Sequence, residues 1–98
     1  MKIEYADDEL LALRTSNPSG KYGQEIVKGF RKVVNFIEQA VSEQDFRSMR
    51  SLKFEKLKGD RSHEHSFRIN KQWRLIVEIK SDETPTVILC KQIADYHQ

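Results

Sequence analysis

The residues best suited to chemistry lie between Leu57 and Arg74, with a second group at Asp95-Tyr96-His97. The first stretch combines arginines and lysines with two histidines, and the second adds a carboxylate, a phenol and an imidazole. A guanidinium binds phosphate through a planar fork of N–H groups, and an imidazole transfers protons near neutral pH. This combination is suited to binding RNA and cutting its backbone.

The formal net charge of +2 conceals an uneven distribution. Residues 47–74 contain nine basic and three acidic residues and carry +6, whereas the remaining residues contain eight basic and twelve acidic ones and carry −4. One end of the molecule should therefore attract polyanions, as small nucleic-acid-binding domains do. A solvated charged surface is the alternative that charge alone leaves open.

The length of 98 residues predicts a single domain, 1–98, with one hydrophobic core. No apolar run approaches the roughly 18 residues of a membrane span, and residues 1–5 lack the apolar stretch of a signal peptide. We therefore expect a cytoplasmic protein with no membrane contact. Cys90 is the single cysteine and lies in an apolar run, which predicts a buried thiol.

The first half of the chain reads as helices after a short strand at residues 1–5. Asp7 can cap a helix over residues 8–14, and a second helix is predicted over 21–41. Ser42–Asp45 resembles a capping box for a short third helix that would bury Phe46, with Met49 as a further candidate. The second helix has a stripe of apolar residues at helical spacing, which predicts core: Ile26, Phe30, Val33, Val34, Ile37 and Val41.

The second half alternates as strands do, in segments 67–69 and 73–79. A hairpin that turns both apolar sets toward the helices must pair Ile69 with Trp73, because a slip of one residue would turn one set to water. The loop is then residues 70–72.

The same register places Arg68 directly across from Arg74 on the opposite face. Two arginines whose Cβ atoms are about 5 Å apart disfavour folding unless a negative group lies between their guanidinium groups. A phosphodiester held by both arginines would meet that need. The alternatives are that Glu78 or Glu64 neutralises one arginine, or that both side chains turn into water.

Residues 87–90 predict a final central strand, buried on both faces, which leads Asp95-Tyr96-His97 toward the end of the sheet. If this strand lies beside the hairpin, its terminal residues could approach the arginine face.

Several motifs together resemble one known family. The motifs are Glu55–Arg61, Ser66–Asn70, Gln72–Arg74 and Asp95–His97, and they resemble the HigB, or killer-protein, branch of the RelE toxin superfamily. The resemblance implies an α+β fold, with N-terminal helices packed on a sheet of about four mainly antiparallel strands. It also implies a toxin of a type II toxin–antitoxin pair, a ribosome-dependent mRNA endonuclease neutralised by a HigA-type antitoxin with a helix-turn-helix domain.

RNA cleavage without a metal needs a base for the 2′-hydroxyl proton, cations for the phosphorane and an acid for the leaving 5′-oxygen. Arg68 and Arg74 would supply charge, and by resemblance Lys56 contributes to the same basic face. Asp95, Tyr96 and His97 match the family's C-terminal functional triplet. In that triplet Tyr96 would orient or stack the nucleotide or assist proton transfer, and His97 would titrate near neutral pH.

The base is the open assignment. Related HigB toxins often carry a catalytic histidine three residues before the lysine matched by Lys56, and this chain has Lys53 there. A lysine could replace it only where surrounding positive charge favours its neutral form, and His63 and His65 are possible substitutes. Without a base, the alternative is a non-catalytic RelE-like protein that binds RNA, the ribosome or only its antitoxin.

The remaining basic positions are candidates for RNA binding: Lys58, Arg61, His63, His65 and Lys71. We expect no cofactor and no metal, because the pair of histidines around Glu64 has no second ligand pair at zinc spacing.

Overall fold

The structure is a computed structural model that describes residues 1–18, 20–61 and 63–95. The predicted functional residues Tyr96 and His97 lie outside this described part. Eight helices and strands follow in chain order: β1 (Lys2–Tyr5), α1 (Asp8–Ala12), α2 (Gln24–Gln39), α3 (Glu43–Ser48), β2 (Glu55–Lys56), β3 (Glu64–Arg68), β4 (Trp73–Lys80) and β5 (Val87–Asp95). Short 3-10 turns at Arg50–Leu52 and Gly59–Arg61 flank β2.

The strands form one mixed sheet in the order β1-β5-β4-β3-β2. Only β1 runs parallel to its neighbour β5, and the other pairs are antiparallel. The predicted α+β class is confirmed, with five strands where about four were expected. Strand β2 was not predicted from the sequence, because a strand of two residues is too short to show alternation. The final strand, β5, lies inside the sheet as predicted.

The helices pack on one face of this sheet and form the core with it. The apolar stripe of α2 is buried at Phe30, Val33, Val34 and Ile37, as predicted. Val41 is the exception, with 88% of its surface exposed. The helix ends at Gln39 and Ala40 is extended, so the helical spacing no longer applies at residue 41.

Local signals at the starts of α1 and α3 act as predicted. The Asp7 carboxylate accepts a hydrogen bond from Leu10 N at 2.8 Å. Asp45 closes the capping box of α3 by accepting from the backbone N–H groups of Val41 and Ser42, and these bonds lower the pKa of its carboxyl. Phe46 is buried, whereas Met49 is 43% exposed.

The predicted hairpin register is confirmed. Arg68 pairs with Arg74, and Ile69 N donates to Trp73 O at 2.9 Å. Asn70 fixes the loop, because its side-chain oxygen accepts from the backbone N–H groups of Gln72 and Trp73. The face of the sheet turned away from the helices, here called the outer face, therefore carries both arginines.

Cys90 is fully buried in β5, as predicted, and burial raises the pKa of its thiol to about 12. Within the described ranges, no helix has the length and apolar character needed to cross a bilayer.

Candidate active site

Arg74 lies on the outer face near the hairpin end of the central strand β4 and is only 8% exposed. Its Nε donates to Ser66 Oγ at 2.9 Å, and its Nη2 donates to the backbone carbonyl of Lys53. A buried charge is tolerated only when its donors are satisfied, and these bonds come from two separate segments. The guanidinium is therefore held at a fixed position between β3 and the segment before β2.

Arg68 is less constrained than Arg74. It is half-buried, and its Nε donates to Asn70 O at 3.2 Å. Arg68 makes no ion pair with any residue of the described ranges. The pair thus consists of one anchored and one more available guanidinium on the same face.

The carboxylate beside Arg74 belongs to Glu55, which the sequence analysis did not consider as a functional residue. Glu55 pairs with Ser66 across β2 and β3, so it shares the outer face. Its Oε1 lies 3.8 Å from Arg74 Nη2, and its side chain is 59% exposed. Recognition of β2 would have revealed this position, but two residues give no periodic signal.

Glu64 and Glu78, the carboxylates considered as partners for the arginines, form a different network. Glu64 Oε1 lies 2.7 Å from Arg61 Nε, and Glu64 Oε2 lies 2.7 Å from Lys91 Nζ. Glu78 lies 3.7 Å from the same lysine ammonium. Arg61, which was predicted to bind RNA, makes this ion pair while its side chain stays 45% exposed.

The Glu64 side chain is only 7% exposed. The hydrogen bond from Lys91, followed by the bond and charge of Arg61, lowers the pKa of its carboxyl against the opposing effect of burial. The same contact raises the pKa of Lys91. This network ties the 59–61 turn to β5 and fixes one border of the arginine face.

We expect Glu64→Gln to destabilise the protein at neutral pH by about 1–2 kcal/mol, because Arg61 loses its carboxylate and Lys91 keeps only the longer contact with Glu78. A carboxyl with a lowered folded pKa stabilises above its unfolded value of about 4.3, and that contribution disappears as pH falls through the folded pKa. Urea unfolding at pH 7 and in steps below pH 4.5 gives the free energy of unfolding. The difference in this free energy between wild type and variant should shrink as the pH falls. A gap that stays constant to pH 2 would contradict this account.

Lys53 and Lys56 occupy different positions from each other. Lys53 is exposed and has a left-handed backbone with φ of 43°, and it is the main-chain oxygen of this residue that meets Arg74. Lys56 is exposed and pairs with His65, which places both residues on the helix side of the sheet. Lys56 therefore does not share the face of Arg68 and Arg74, contrary to the expectation from the family resemblance.

His65 is stacked on Phe54, with ring centroids 4.9 Å apart and planes inclined by 6°. Its Nδ1 is buried and has no hydrogen-bond partner among the residues that the structure describes. Burial first, and then the charges of Arg47 and Lys56, lower the pKa of this imidazole. The lowered pKa favours the neutral form of His65, and the side chain faces away from Arg74. The other predicted RNA-binding residues are exposed: Lys58, His63 and Lys71.

The end of β5 lies beside the hairpin, but its last described residue, Asp95, is on the side of the sheet opposite the arginines. Ala94 pairs with Arg74, and Asp95 pairs with Trp73. The Asp95 carboxylate accepts from Gln72 Nε2 at 3.0 Å, on the helix side of the sheet. The last described residue, Asp95, therefore lies one residue beyond the position opposite Arg74.

The outer face thus combines two guanidinium groups with an exposed carboxylate. Guanidinium groups can bind a phosphodiester and stabilise charge that develops on it, and a carboxylate can accept a proton. Among the described residues, no group of three or more His, Cys, Asp or Glu side chains could hold a metal ion.

Solved structures share the fold of this chain. A YoeB/ParE toxin from Agrobacterium tumefaciens is 18% identical with a TM-score of 0.56, and the alignment covers all of both chains. YafQ from E. coli is 12% identical with a TM-score of 0.61, covering 96% of this chain and 91% of that one. The YoeB–YefM complex from Staphylococcus aureus is 19% identical with a TM-score of 0.58, and the alignment covers 100% of this chain and 98% of that one.

A comparison with curated proteins gave no match. The sequence itself matches the HigB-like toxin family, described as the RelE-like toxin of the type II toxin–antitoxin system HigB, over residues 4–97. This match spans nearly the whole chain and agrees with the five-stranded fold. The chain belongs to the HigB-like family of RelE-like toxins of type II toxin–antitoxin systems.

Proposed function

We propose that this toxin is a ribosome-dependent mRNA endonuclease of the cytoplasm that stops translation by cutting mRNA. The observation that carries the proposal is the pair Arg68 and Arg74, placed across from each other on the outer face. The anchored position of Arg74 supports it further, because a cation that is fixed before the reaction stabilises developing charge without reorganisation.

The reaction is attack of a 2′-hydroxyl on the adjacent phosphorus. Arg74 stabilises the phosphorane, while Arg68 binds the phosphate from the more open side of the pair. The exposed lysines at 53, 56, 58 and 71 attract the mRNA backbone. His97 donates a proton to the leaving 5′-oxygen, and Tyr96 orients the nucleotide; both assignments rest on the family motif.

The partner that neutralises the toxin is a HigA-type antitoxin with a helix-turn-helix domain. A toxin of a type II pair must be held inactive in its own cell, and the family name supports this partner. Solved structures of the same fold include toxin–antitoxin complexes, such as DinJ–YafQ from E. coli.

Induction in bacteria without the antitoxin tests the proposal. We expect growth arrest and new 5′ ends within transcripts, and these ends should be missing from a reporter transcript that lacks a ribosome-binding site and start codon. Co-expression of the antitoxin should prevent both effects. Growth arrest without new ends would overturn the endonuclease assignment and favour a toxin that binds RNA or the ribosome without cutting.

A further inference from the structure

The geometry points to Lys53 as the positioning residue of Arg74, acting through its main chain and not through its ammonium group. This inference rests on the proposed endonuclease function. Arg74 Nη2 donates to the carbonyl oxygen of Lys53, and Arg74 Nε donates to Ser66 Oγ at 2.9 Å. The first of these acceptors is a main-chain atom, so its place in the site depends on the backbone conformation of residue 53.

The backbone of Lys53 has an unusual conformation. Its φ of 43° and ψ of 51° lie in the left-handed region, and it is the one non-glycine residue of the described ranges with a positive φ. A left-handed backbone brings the Cβ atom close to the following carbonyl oxygen, so a residue with a side chain adopts it at a cost in free energy. Such a conformation persists only where surrounding contacts hold it, and positions of this kind are frequent at functional sites.

The residues on either side of Lys53 are held by packing. Leu52 is buried at the end of its 3-10 turn, and Phe54 packs on Phe46 with ring centroids 5.2 Å apart. Because both neighbours are held, a change to a negative φ at residue 53 must rotate the peptide groups between them. That rotation turns the Lys53 carbonyl away from Arg74. The left-handed backbone is therefore what places the acceptor.

The Lys53 side chain is not needed to hold this backbone. Lys53 is exposed, and its ammonium group makes no ion pair with a residue of the described ranges. Glycine adopts the left-handed region freely, alanine adopts it at a cost similar to that of lysine, and β-branched residues such as valine adopt it least readily. The ammonium group instead adds to the positive charge that attracts the mRNA backbone. Substitutions at residue 53 can therefore separate the backbone from the charge.

Single-turnover cleavage on programmed ribosomes, measured over a range of toxin concentrations, tests the assignment. We expect Lys53→Val to lower the rate at saturation by roughly 10- to 100-fold, because Arg74 loses an acceptor and shifts from its position. Lys53→Gly and Lys53→Ala should cut at least about fivefold faster than Lys53→Val at saturation, since both keep the left-handed backbone. Both should need more toxin for half-saturation, because one positive charge is lost. Ser51→Val is the matched control, since Ser51 is exposed in the same segment and has an ordinary negative φ.

A double-mutant cycle separates positioning of Arg74 from a general effect on the fold. If residue 53 acts through Arg74, Lys53→Val should lower the saturating rate by less than about twofold when Arg74→Ala is already present. An equal loss in the presence and absence of the Arg74 guanidinium would overturn the role.

The glycine and alanine variants decide the matter even where Lys53→Val does not fold. A loss of about 10²-fold or more at saturation in both of them would identify the ammonium group as the working part of Lys53 and overturn the role. A folded Lys53→Val variant that cuts at the wild-type rate would overturn it as well.

A wild type that makes no cuts overturns the endonuclease proposal itself, and urea unfolding then tests the anchor separately. Lys53→Gly should unfold at a higher urea concentration than Lys53→Val, and this difference should shrink in the Arg74→Ala background, where the carbonyl has lost its guanidinium donor. A difference of the same size in both backgrounds would show that the backbone of residue 53 does not hold Arg74.

Discussion

Arg74→Ala is expected to slow mRNA cleavage by roughly 10²- to 10³-fold, the usual effect of removing one fixed donor from a site of developing charge. Arg74→Lys should recover little of this loss. A lysine keeps the charge but lacks the planar fork that reaches Ser66 Oγ and the Lys53 carbonyl at once. Single-turnover assays on programmed ribosomes give the rates.

The same substitution should also weaken the fold, because Ser66 and the Lys53 carbonyl each lose a buried partner. We expect a loss of about 1–3 kcal/mol in the free energy of unfolding. Urea unfolding measures this loss of stability separately from the cleavage rate. Arg68→Ala is the matched control for stability, since Arg68 has one backbone acceptor and is half-buried. A folded Arg74→Ala variant that cuts at the wild-type rate would remove Arg74 from the mechanism.

Gly29→Val is expected to lower the free energy of unfolding by about 1–3 kcal/mol through overpacking. A Cβ atom at position 29 would lie 2.5 Å from Ile69 Cγ2 and 2.8 Å from Ile69 O. The methyl group could rotate away, but the backbone oxygen can move only if the hairpin moves. Because Arg68 precedes Ile69, cleavage should fall together with stability.

Gly23→Val is the control for Gly29→Val, because a Cβ at position 23 meets nothing within 4 Å. Urea unfolding monitored through the single tryptophan, Trp73, gives the difference in the free energy of unfolding. If Gly29→Val unfolded at the same urea concentration as wild type, the close approach of α2 to the hairpin would be wrong.

The sequence was sufficient for features that depend on periodicity. The alternation of Phe67 and Ile69 against the apolar residues of β4 left one register for the hairpin, and that register put Arg68 across from Arg74. The α2 stripe and the capping residues Asp7 and Asp45 were also readable, because each signal lies within a few residues of its effect.

Features that depend on contacts between distant segments could not be read from the sequence. Glu64 or Glu78 was considered as the carboxylate that neutralises one arginine. Arg74 instead bonds to Ser66 and to the carbonyl of Lys53, and the carboxylate beside it is Glu55. Glu64 forms ion pairs with Arg61 and Lys91. No local sequence pattern predicts which of several carboxylates contacts a given arginine.

The position of Glu55 shows the same limit at the site itself. It depends on the pairing of a two-residue strand with β3, which tertiary packing decides. Val41 shows the limit at a helix end, since its spacing was helical while the helix stopped at Gln39. A periodic pattern predicts a face only as far as the element extends.

The most direct test of the central claim is the chemistry of the RNA ends made by the purified toxin on ribosomes programmed with a defined mRNA. The account predicts ribosome-dependent fragments with 5′-hydroxyl and 2′,3′-cyclic phosphate ends, strongly reduced in Arg74→Ala. Fragments with 5′-phosphate ends, or no fragments from a toxin that binds the ribosome, would contradict it.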